Sequence, residues 1–128
     1  MPKDQKLQPT ASELDVLQLL WERGPLPVKE VHQALSQERD IVYTTVLKTM
    51  QVMMERGFLT RESQGRKHIY AASIAQEDTQ NSLLDTFMNR TFGGSAKALA
   101  MRALGNYKTS KEDIDELKAL INKLENKD

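Results

Sequence analysis

The chain has 128 residues, with 18 basic and 18 acidic side chains and no cysteine, which is enough for one or two small domains. The absence of cysteine excludes disulfides, thiolate metal sites and cysteine nucleophiles. Residues 1–8 lack an apolar signal region, and no apolar run approaches the roughly 20 residues that span a bilayer, so we expect a soluble, cytoplasmic protein with a flexible N-terminus over residues 1–8 and no membrane insertion.

A first helix is predicted to begin after Thr10, because Thr10 and Glu13 have the spacing of a capping box. Gly24 and Pro25 end it, and a second helix follows from about Pro27. The apolar faces of these two helices are predicted to be Leu14, Leu17, Leu20 and Trp21, then Val28, Val31 and Leu35.

We interpret Trp21 as a core residue, since a tryptophan on an apolar face seldom contacts a ligand. Lys29, in the first turn of the second helix, is interpreted as solvated, with a phosphate contact as the alternative.

The residues after Ile41 predict a third helix with two different faces. Its core-facing stripe consists of Val46, Leu47, Met50, Met53 and Met54, and its outward face of Thr44, Thr45, Lys48, Val52, Glu55 and Arg56. Thr44 and Thr45 lie in the first turn, where a helix inserted in a major groove reaches base edges, and their hydroxyl and methyl groups suit acceptors and the thymine methyl. The alternative is that two threonines at a helix start are N-caps and that Lys48 is ordinary surface.

A hairpin is predicted directly after this helix. Gly57 should end the helix in a left-handed conformation, and residues 58–63 and 68–72 are two β-rich runs joined by a glycine-containing connection. Such a hairpin extends Arg66 and Lys67 beside the third helix, at the height of duplex phosphates or a minor groove. Three helices and a hairpin within residues 9–73 predict a winged helix-turn-helix DNA-binding domain, and the fold class is therefore mainly α with a small β-hairpin.

The charge is distributed unevenly along the chain. Residues 41–73 carry five basic and two acidic side chains, whereas residues 1–40 carry five and seven, and residues 74–128 carry eight and nine. The positive excess coincides with the predicted DNA-binding segment, but it is small, so nonspecific affinity should be weak and salt-dependent. We therefore expect two copies to bind together.

Residues 74–128 predict three further helices. Gly93 and Gly94 separate the first from the second, and Ser95 and Ser110 are N-cap residues for the last two. Their apolar faces are too small to form a core alone, so we expect a helical dimerisation domain that packs against a second copy. The residues expected at this interface are Leu83, Phe87, Ile114, Leu117, Ile121 and Leu124. The alternative is a monomer in which this segment folds back on its own winged helix.

The sequence contains no recognisable catalytic apparatus. It has no metalloprotease motif, no pair of carboxylates in a recognisable catalytic motif, no Ser/His/Asp set and no phosphate-binding loop. His32 and His68 have no partner at metal-ligand spacing. We expect no enzymatic activity, no catalytic residue, no metal site and no cofactor.

Two stretches carry a resemblance to a known family, namely LQPTASELDVLQLLWERGPLPVKEVHQAL and YTTVLKTMQVMMERGFLTRESQGRKHIYAA. They resemble the penicillinase-repressor family of transcriptional regulators (BlaI/MecI/CopY type), and the likeness extends through TFGGSAKALA to the last helix. The resemblance implies a homodimeric repressor whose N-terminal winged helices bind a palindromic operator and whose C-terminal helices hold the dimer. By position it implies that Thr44, Thr45 and Lys48 read the operator, with Arg66 and Lys67 in the wing.

Three departures from the family pattern limit what the resemblance implies. The position of Val52 often holds an arginine in this family, so operator preference is not carried over. Copper-responsive relatives sense the metal through a cysteine-rich tail, which this chain lacks. In β-lactam-responsive relatives a sensor protease cuts an Asn-Phe bond, and the matching pair here is Arg102 and Ala103. A sensor protease is therefore a candidate partner, but cleavage at that pair is not implied.

We expect a homodimeric, DNA-binding transcriptional repressor that occupies a palindromic operator in double-stranded DNA. The main alternative is a winged-helix protein-interaction module without specific DNA binding, for which a near-neutral face and an apolar Val52 would be natural. A ligand-sensing repressor is a further alternative, although no cluster of polar residues marks a pocket in the sequence. Salt dependence separates DNA binding from binding to a protein partner.

Overall fold

A computed structural model of the chain describes residues 8–127. The helices are α1 (Ala11–Arg23), α2 (Val28–Ser36), α3 (Tyr43–Glu55), α4 (Gln76–Thr91), α5 (Ala96–Asn106) and α6 (Lys111–Glu125), and the strands are β1 (Leu26–Pro27), β2 (Leu59–Gln64) and β3 (Lys67–Ala72). Apart from Gln8, the predicted flexible segment lies outside the described residues. The chain separates into two compact units, the first ending at Leu84 and the second beginning at Asp85. The predicted fold class, mainly helical with a small antiparallel sheet, is confirmed.

The predicted hairpin is formed by β2 and β3. Gln64 pairs with Lys67, so the connection contains only Gly65 and Arg66. Gly65 has a φ of 64°, which glycine adopts without steric cost, and this conformation suits a two-residue turn between twisted strands. At the other end of the hairpin Gly57 has a φ of 88°, and α3 therefore ends as the sequence predicted.

The sheet has a third strand that the sequence did not reveal. Its order is β1-β3-β2, with Leu26 and Pro27 of β1 opposite Tyr70 and Ile69. A two-residue strand that directly follows Gly24 and Pro25 has the sequence pattern of a turn, so periodicity could not detect it. Pro27 is compatible with a sheet edge because it has no N–H to donate, and its φ of −76° also suits the residue before α2.

The core of the first unit lies between the three helices and the sheet. Its buried apolar side chains are Val16, Leu17, Leu20, Val28, Val31, Leu35, Val46, Met50, Met53, Phe58, Leu59 and Tyr70. Trp21 packs against this cluster, and its Nε1–H donates to the carbonyl oxygen of Ile74 at 3.0 Å, so its interpretation as a core residue is confirmed. The predicted stripe of α1 was wrong at one point: Val16 is buried and Leu14 only partly so. The buried stripe of α1 is Glu13, Val16, Leu17 and Leu20, which follows the i, i+3, i+4, i+7 spacing of one helix face.

The second unit consists of the end of α4 with α5 and α6. Ser95 and Ser110 are N-caps as predicted, each hydroxyl oxygen accepting a backbone N–H three residues further on, at 3.1 and 3.0 Å. Gly93 and Gly94 have φ values of 58° and 82° and follow the end of α4. No side chain of α5 or α6 is buried. This unit therefore has regular helices but no closed core of its own.

Candidate nucleic-acid interface

Helix α3 begins at an exposed corner of the first unit. Its N-cap, Val42, has extended backbone and supplies no side-chain hydrogen bond, and Val42 and Tyr43 are 63% and 43% exposed. From α2, His32 Nε2–H donates to the carbonyl oxygen of Ile41 at 2.8 Å, and its ring meets that of Tyr43 edge-on at 5.9 Å between centroids. These contacts hold the start of α3 in place while leaving its first turn accessible.

The structure brings Thr44, Thr45 and Lys48 together on the exposed side of α3, and we call these three residues the reading face. Within residues 8–127, neither threonine hydroxyl forms a hydrogen bond and Lys48 forms no ion pair. The alternative that the threonines cap the helix is wrong, because the N-cap is Val42. The reading face thus presents polar groups that the described structure leaves unpaired.

The reading face lines an open groove of about 470 Å³, which we call the reading groove. The start of α1 contributes Thr10, Ser12 and Glu13 to it, and α3 contributes Thr44, Thr45, Lys48, Thr49 and Val52. Most of these side chains are short and many carry a hydroxyl. Short side chains allow a ligand to approach the backbone closely, and hydroxyl and methyl groups match the acceptors and methyls at base edges.

The carboxylate that lines the reading groove is neutralised by a contact that the sequence did not predict. Glu13 is 6% exposed; its Oε1 accepts the backbone N–H of Thr10 at 2.9 Å, and both of its oxygens accept from Arg56 Nη1 at 2.8 Å. The guanidinium of Arg56 also lies 4.7 Å from the centroid of the Phe58 ring. The prediction that Arg56 lies on the outward face of α3 was therefore wrong. Arg56 follows the last helical residue and turns towards α1, so Glu13 does not present an unpaired charge to an anionic ligand.

A second open groove, of about 360 Å³, lies between the hairpin, the start of α2 and α3, and we call it the wing groove. It is lined by Pro27, Val28, Lys29, Glu30, Tyr43, Leu47, Gln51, Arg61, Arg66, Lys67, His68 and Tyr70. Arg66 and Lys67, the predicted wing residues, are exposed there. The structure therefore places both predicted wing residues beside α3, on a different groove from the reading face.

Sequence reasoning did not select Arg61, although a signal for it exists. Arg61 lies two residues after buried Leu59 and pairs with buried Tyr70. Because side chains alternate along a strand, Arg61 shares the helix-facing side of the sheet with these core residues. Lys29, expected to be solvated with a phosphate contact as the alternative, lines the same groove.

The residues predicted for dimerisation lie on α4 and α6. Leu83 is partly buried, whereas Phe87, Ile114, Leu117, Ile121 and Leu124 are 48%, 39%, 37%, 56% and 59% exposed. Three of them, Ile114, Leu117 and Ile121, line an apolar groove of about 360 Å³ in the second unit. Leu104 and Tyr107 line the same groove. We call this the apolar groove. An apolar surface of this kind usually marks an interaction site.

Two further classes of site are not found within residues 8–127. No cluster of three His, Asp or Glu side chains is arranged to hold a metal ion in that part of the chain. None of its helices combines the length and the apolar character needed to cross a lipid bilayer. The residues predicted to contact DNA line the two grooves beside α3.

Comparison with known proteins gives a consistent set of similarities. A family model described as "Penicillinase repressor" matches residues 9–123. The penicillinase repressor of Bacillus licheniformis is 24% identical over 116 residues, which cover 91% of this chain and 91% of that protein. The transcriptional regulator BlaI of Mycobacterium tuberculosis is 28% identical over 115 residues, covering 88% of this chain and 82% of that protein. The solution structure of the DNA binding domain of the repressor BlaI matches with a TM-score of 0.51 and 24% identity, covering 56% of this chain and 87% of that one.

Proposed function

The chain belongs to the penicillinase repressor family, and from that premise we propose that it is a homodimeric transcriptional repressor that occupies a palindromic operator in double-stranded DNA. The observation that carries this proposal is the reading face, where Thr44, Thr45 and Lys48 stand exposed in the first turns of α3 without partners among residues 8–127. In helix-turn-helix proteins the recognition helix lies in the major groove and contacts base edges with the residues of its first turns. A protein that binds chromosomal DNA in a bacterium acts in the cytoplasm, so the proposed function agrees with the predicted cytoplasmic location.

The reading face and the wing have different proposed roles. We propose that Thr44 and Thr45 contact base edges and that Lys48 contacts a base acceptor or a phosphate. The base contacts provide the sequence preference, since one good base contact discriminates between bases by about 1–3 kcal/mol. Arg66 and Lys67 contact the sugar-phosphate backbone from the wing, where positive charge adds affinity that does not depend on sequence. The small positive excess of residues 41–73 makes each single module a weak binder, which favours binding by two modules together.

The proposed dimerisation domain is residues 74–128. Its support is that α5 and α6 bury no side chain within the described chain, although they carry a regular apolar stripe. A second copy provides a matching apolar surface through two-fold symmetry, and such a dimer presents its two reading helices to half-sites about one duplex turn apart. The interface residues proposed are Leu83, Phe87, Ile114, Leu117, Ile121 and Leu124.

Release from DNA is proposed to proceed without a cut between Arg102 and Ala103. This pair matches the bond that a sensor protease cuts in β-lactam-responsive relatives, and here it lies inside α5. An Asn-Phe-selective protease finds neither of its residues at this position. A protease also needs an extended substrate, so α5 would first have to unwind locally.

The experiment that tests the function begins with DNA selection. Random duplexes retained by the purified protein are sequenced, and the affinity for a retained duplex is compared with that for an unrelated duplex of equal length. In the triple variant Thr44→Ala, Thr45→Ala, Lys48→Ala we expect the ratio of the two affinities to fall by about tenfold or more, because base contacts are lost.

A matched control carries Thr60→Ala and Lys97→Ala, which remove an exposed threonine and an exposed lysine from outside the reading groove. This control should keep the affinity ratio of the wild type. An unchanged ratio in the triple variant would refute the reading face. Failure of the wild-type protein to retain any duplex would instead favour a protein-interaction module.

A further inference from the structure

The wing groove gathers more positive charge than the two cations predicted for it. Four basic side chains line it, Lys29, Arg61, Arg66 and Lys67, against one carboxylate, Glu30. All four are exposed, and none of them forms an ion pair within residues 8–127. Their positive charge is therefore available to an anionic ligand.

These cations come from three separate parts of the fold and converge on one groove. Lys29 is in the first turn of α2, Arg61 is on the helix-facing side of β2, and the other two lie at the closed end of the hairpin. Tyr43 and Gln51 of α3 line the same groove. The two flanks of α3 therefore differ in charge: the reading groove has one cation, Lys48, among hydroxyl and methyl groups, whereas four cations line the wing groove.

We propose that Lys29 and Arg61 bind the phosphodiester backbone of one DNA strand in the wing groove while the reading face meets base edges from the other flank of α3. This inference rests on the proposed function and adds two contact residues, Lys29 and Arg61, to the backbone contacts proposed for the wing. Guanidinium and ammonium groups are the preferred protein donors to phosphate oxygens. Contacts to phosphates fix the position of a protein on the duplex but carry no sequence information. The wing groove should thus supply affinity, and the reading groove should supply sequence preference.

The test is a salt series with Lys29→Gln, with Arg61→Gln and with the double variant. Dissociation constants are measured for a retained duplex and for an unrelated duplex of equal length. Each lost phosphate contact should lower the slope of log affinity against log salt by about 0.9, so a roughly fourfold rise in salt weakens the wild type about 3.5-fold more than a single variant. Both duplexes should lose affinity by the same factor, which leaves the affinity ratio unchanged.

Two controls separate a phosphate contact from a general loss of charge or of folding. Arg23→Gln removes an exposed cation at the end of α1 that does not line the wing groove, and it should keep the wild-type slope. Arg61→Lys retains the positive charge and should restore most of the slope that Arg61→Gln loses. Thermal unfolding of every variant shows whether the first unit is intact, and Lys29→Gln and Arg61→Lys continue the test if Arg61→Gln does not fold.

The outcomes distinguish this inference from the proposed function. Wild-type binding that depends on salt, with slopes in Lys29→Gln and Arg61→Gln equal to that of Arg23→Gln, would overturn the wing groove assignment alone. A loss restricted to the retained duplex would also overturn it, since it would mean that these residues read bases. Absence of salt-dependent DNA binding by the wild-type protein would overturn the proposed function and this inference together.

Discussion

The two units of the chain treat their apolar side chains in opposite ways. In the first unit three helices and a sheet enclose side chains such as Leu17, Met50 and Phe58, each of which has a relative exposure of 0%. In the second unit, Leu104, Ile121 and other apolar side chains are about half exposed, and α5 and α6 bury none. The first unit therefore has a closed core of its own, whereas the second leaves an apolar surface open, which the proposed dimer would cover.

The difference has a physical origin in size and in layers. A closed core needs elements that cover it from several sides, and the first unit supplies three helices and a sheet for this purpose. The second unit, residues 85–128, has the end of α4 and two short helices, and chains of about that size rarely close a core alone. This difference fits the proposed function, in which the first unit is a rigid scaffold for the reading face and a second copy covers the apolar face of the second unit.

The largest expected effect comes from opening the closed core. Phe58→Ala should lower the free energy of unfolding of the first unit by about 3–5 kcal/mol, because it leaves a cavity at a fully buried site and removes the ring beside Arg56. Urea unfolding followed by circular dichroism measures this loss, which should be the same at every protein concentration. A loss below about 1 kcal/mol would show that the first unit is not closed, and the comparison of the two units would fail.

The next effect concerns the open face of the second unit. Leu117 lines the apolar groove, and Leu117→Asp should raise the dimer dissociation constant by about a hundredfold or more, because a charge would replace an apolar anchor at the interface. Sedimentation velocity across a protein dilution series measures this constant. Glu116→Gln, a neighbour on α6 outside the apolar groove, serves as the control and should dimerise like the wild type. A dimer that tolerates Leu117→Asp would place the interface elsewhere.

Sequence periodicity predicted the elements that depend on local pattern. The core stripe of α3, the glycine that ends it and the hairpin all follow from spacing and backbone preference, and so do the N-caps Thr10, Ser95 and Ser110. The missed features depend on contacts between segments that are distant in the chain. Arg56 was assigned to the surface because its partner, Glu13, is 43 residues away, and no local pattern reveals that pairing.

The candidate interface was predictable to a similar degree and for the same reason. The reading face follows from the helical projection of α3, so Thr44, Thr45 and Lys48 could be selected before the structure was known. The wing groove requires β2, β3 and the start of α2 to come together, so only the fold places Arg61 beside Lys29, for which the sequence had left a phosphate contact as the alternative. Side chains alternate between the two faces of β2, so Arg61 could have been assigned to the same face as buried Leu59. Which other residues line the groove beside Arg61 depends on tertiary contacts.

The smallest expected effect applies one chemical change to both units. Thr10 caps α1 in the first unit and Ser110 caps α6 in the second, and replacing an N-cap by alanine typically costs about 1 kcal/mol. If the second unit is stable only against its mate, its thermal transition rises with protein concentration, whereas that of the first unit does not. We expect Ser110→Ala to lower only the concentration-dependent transition and Thr10→Ala to lower only the other.

Calorimetry of the two variants over a wide range of protein concentration provides the measurement. Ser36→Ala serves as the control, because it changes an exposed serine at the last residue of α2 that caps no helix start, and it should move neither transition by much. Equal shifts of both transitions in both cap variants would mean that the two units unfold as one cooperative block. The open face of α6 would then be stabilised from within the chain, and a partner would not be needed to explain it.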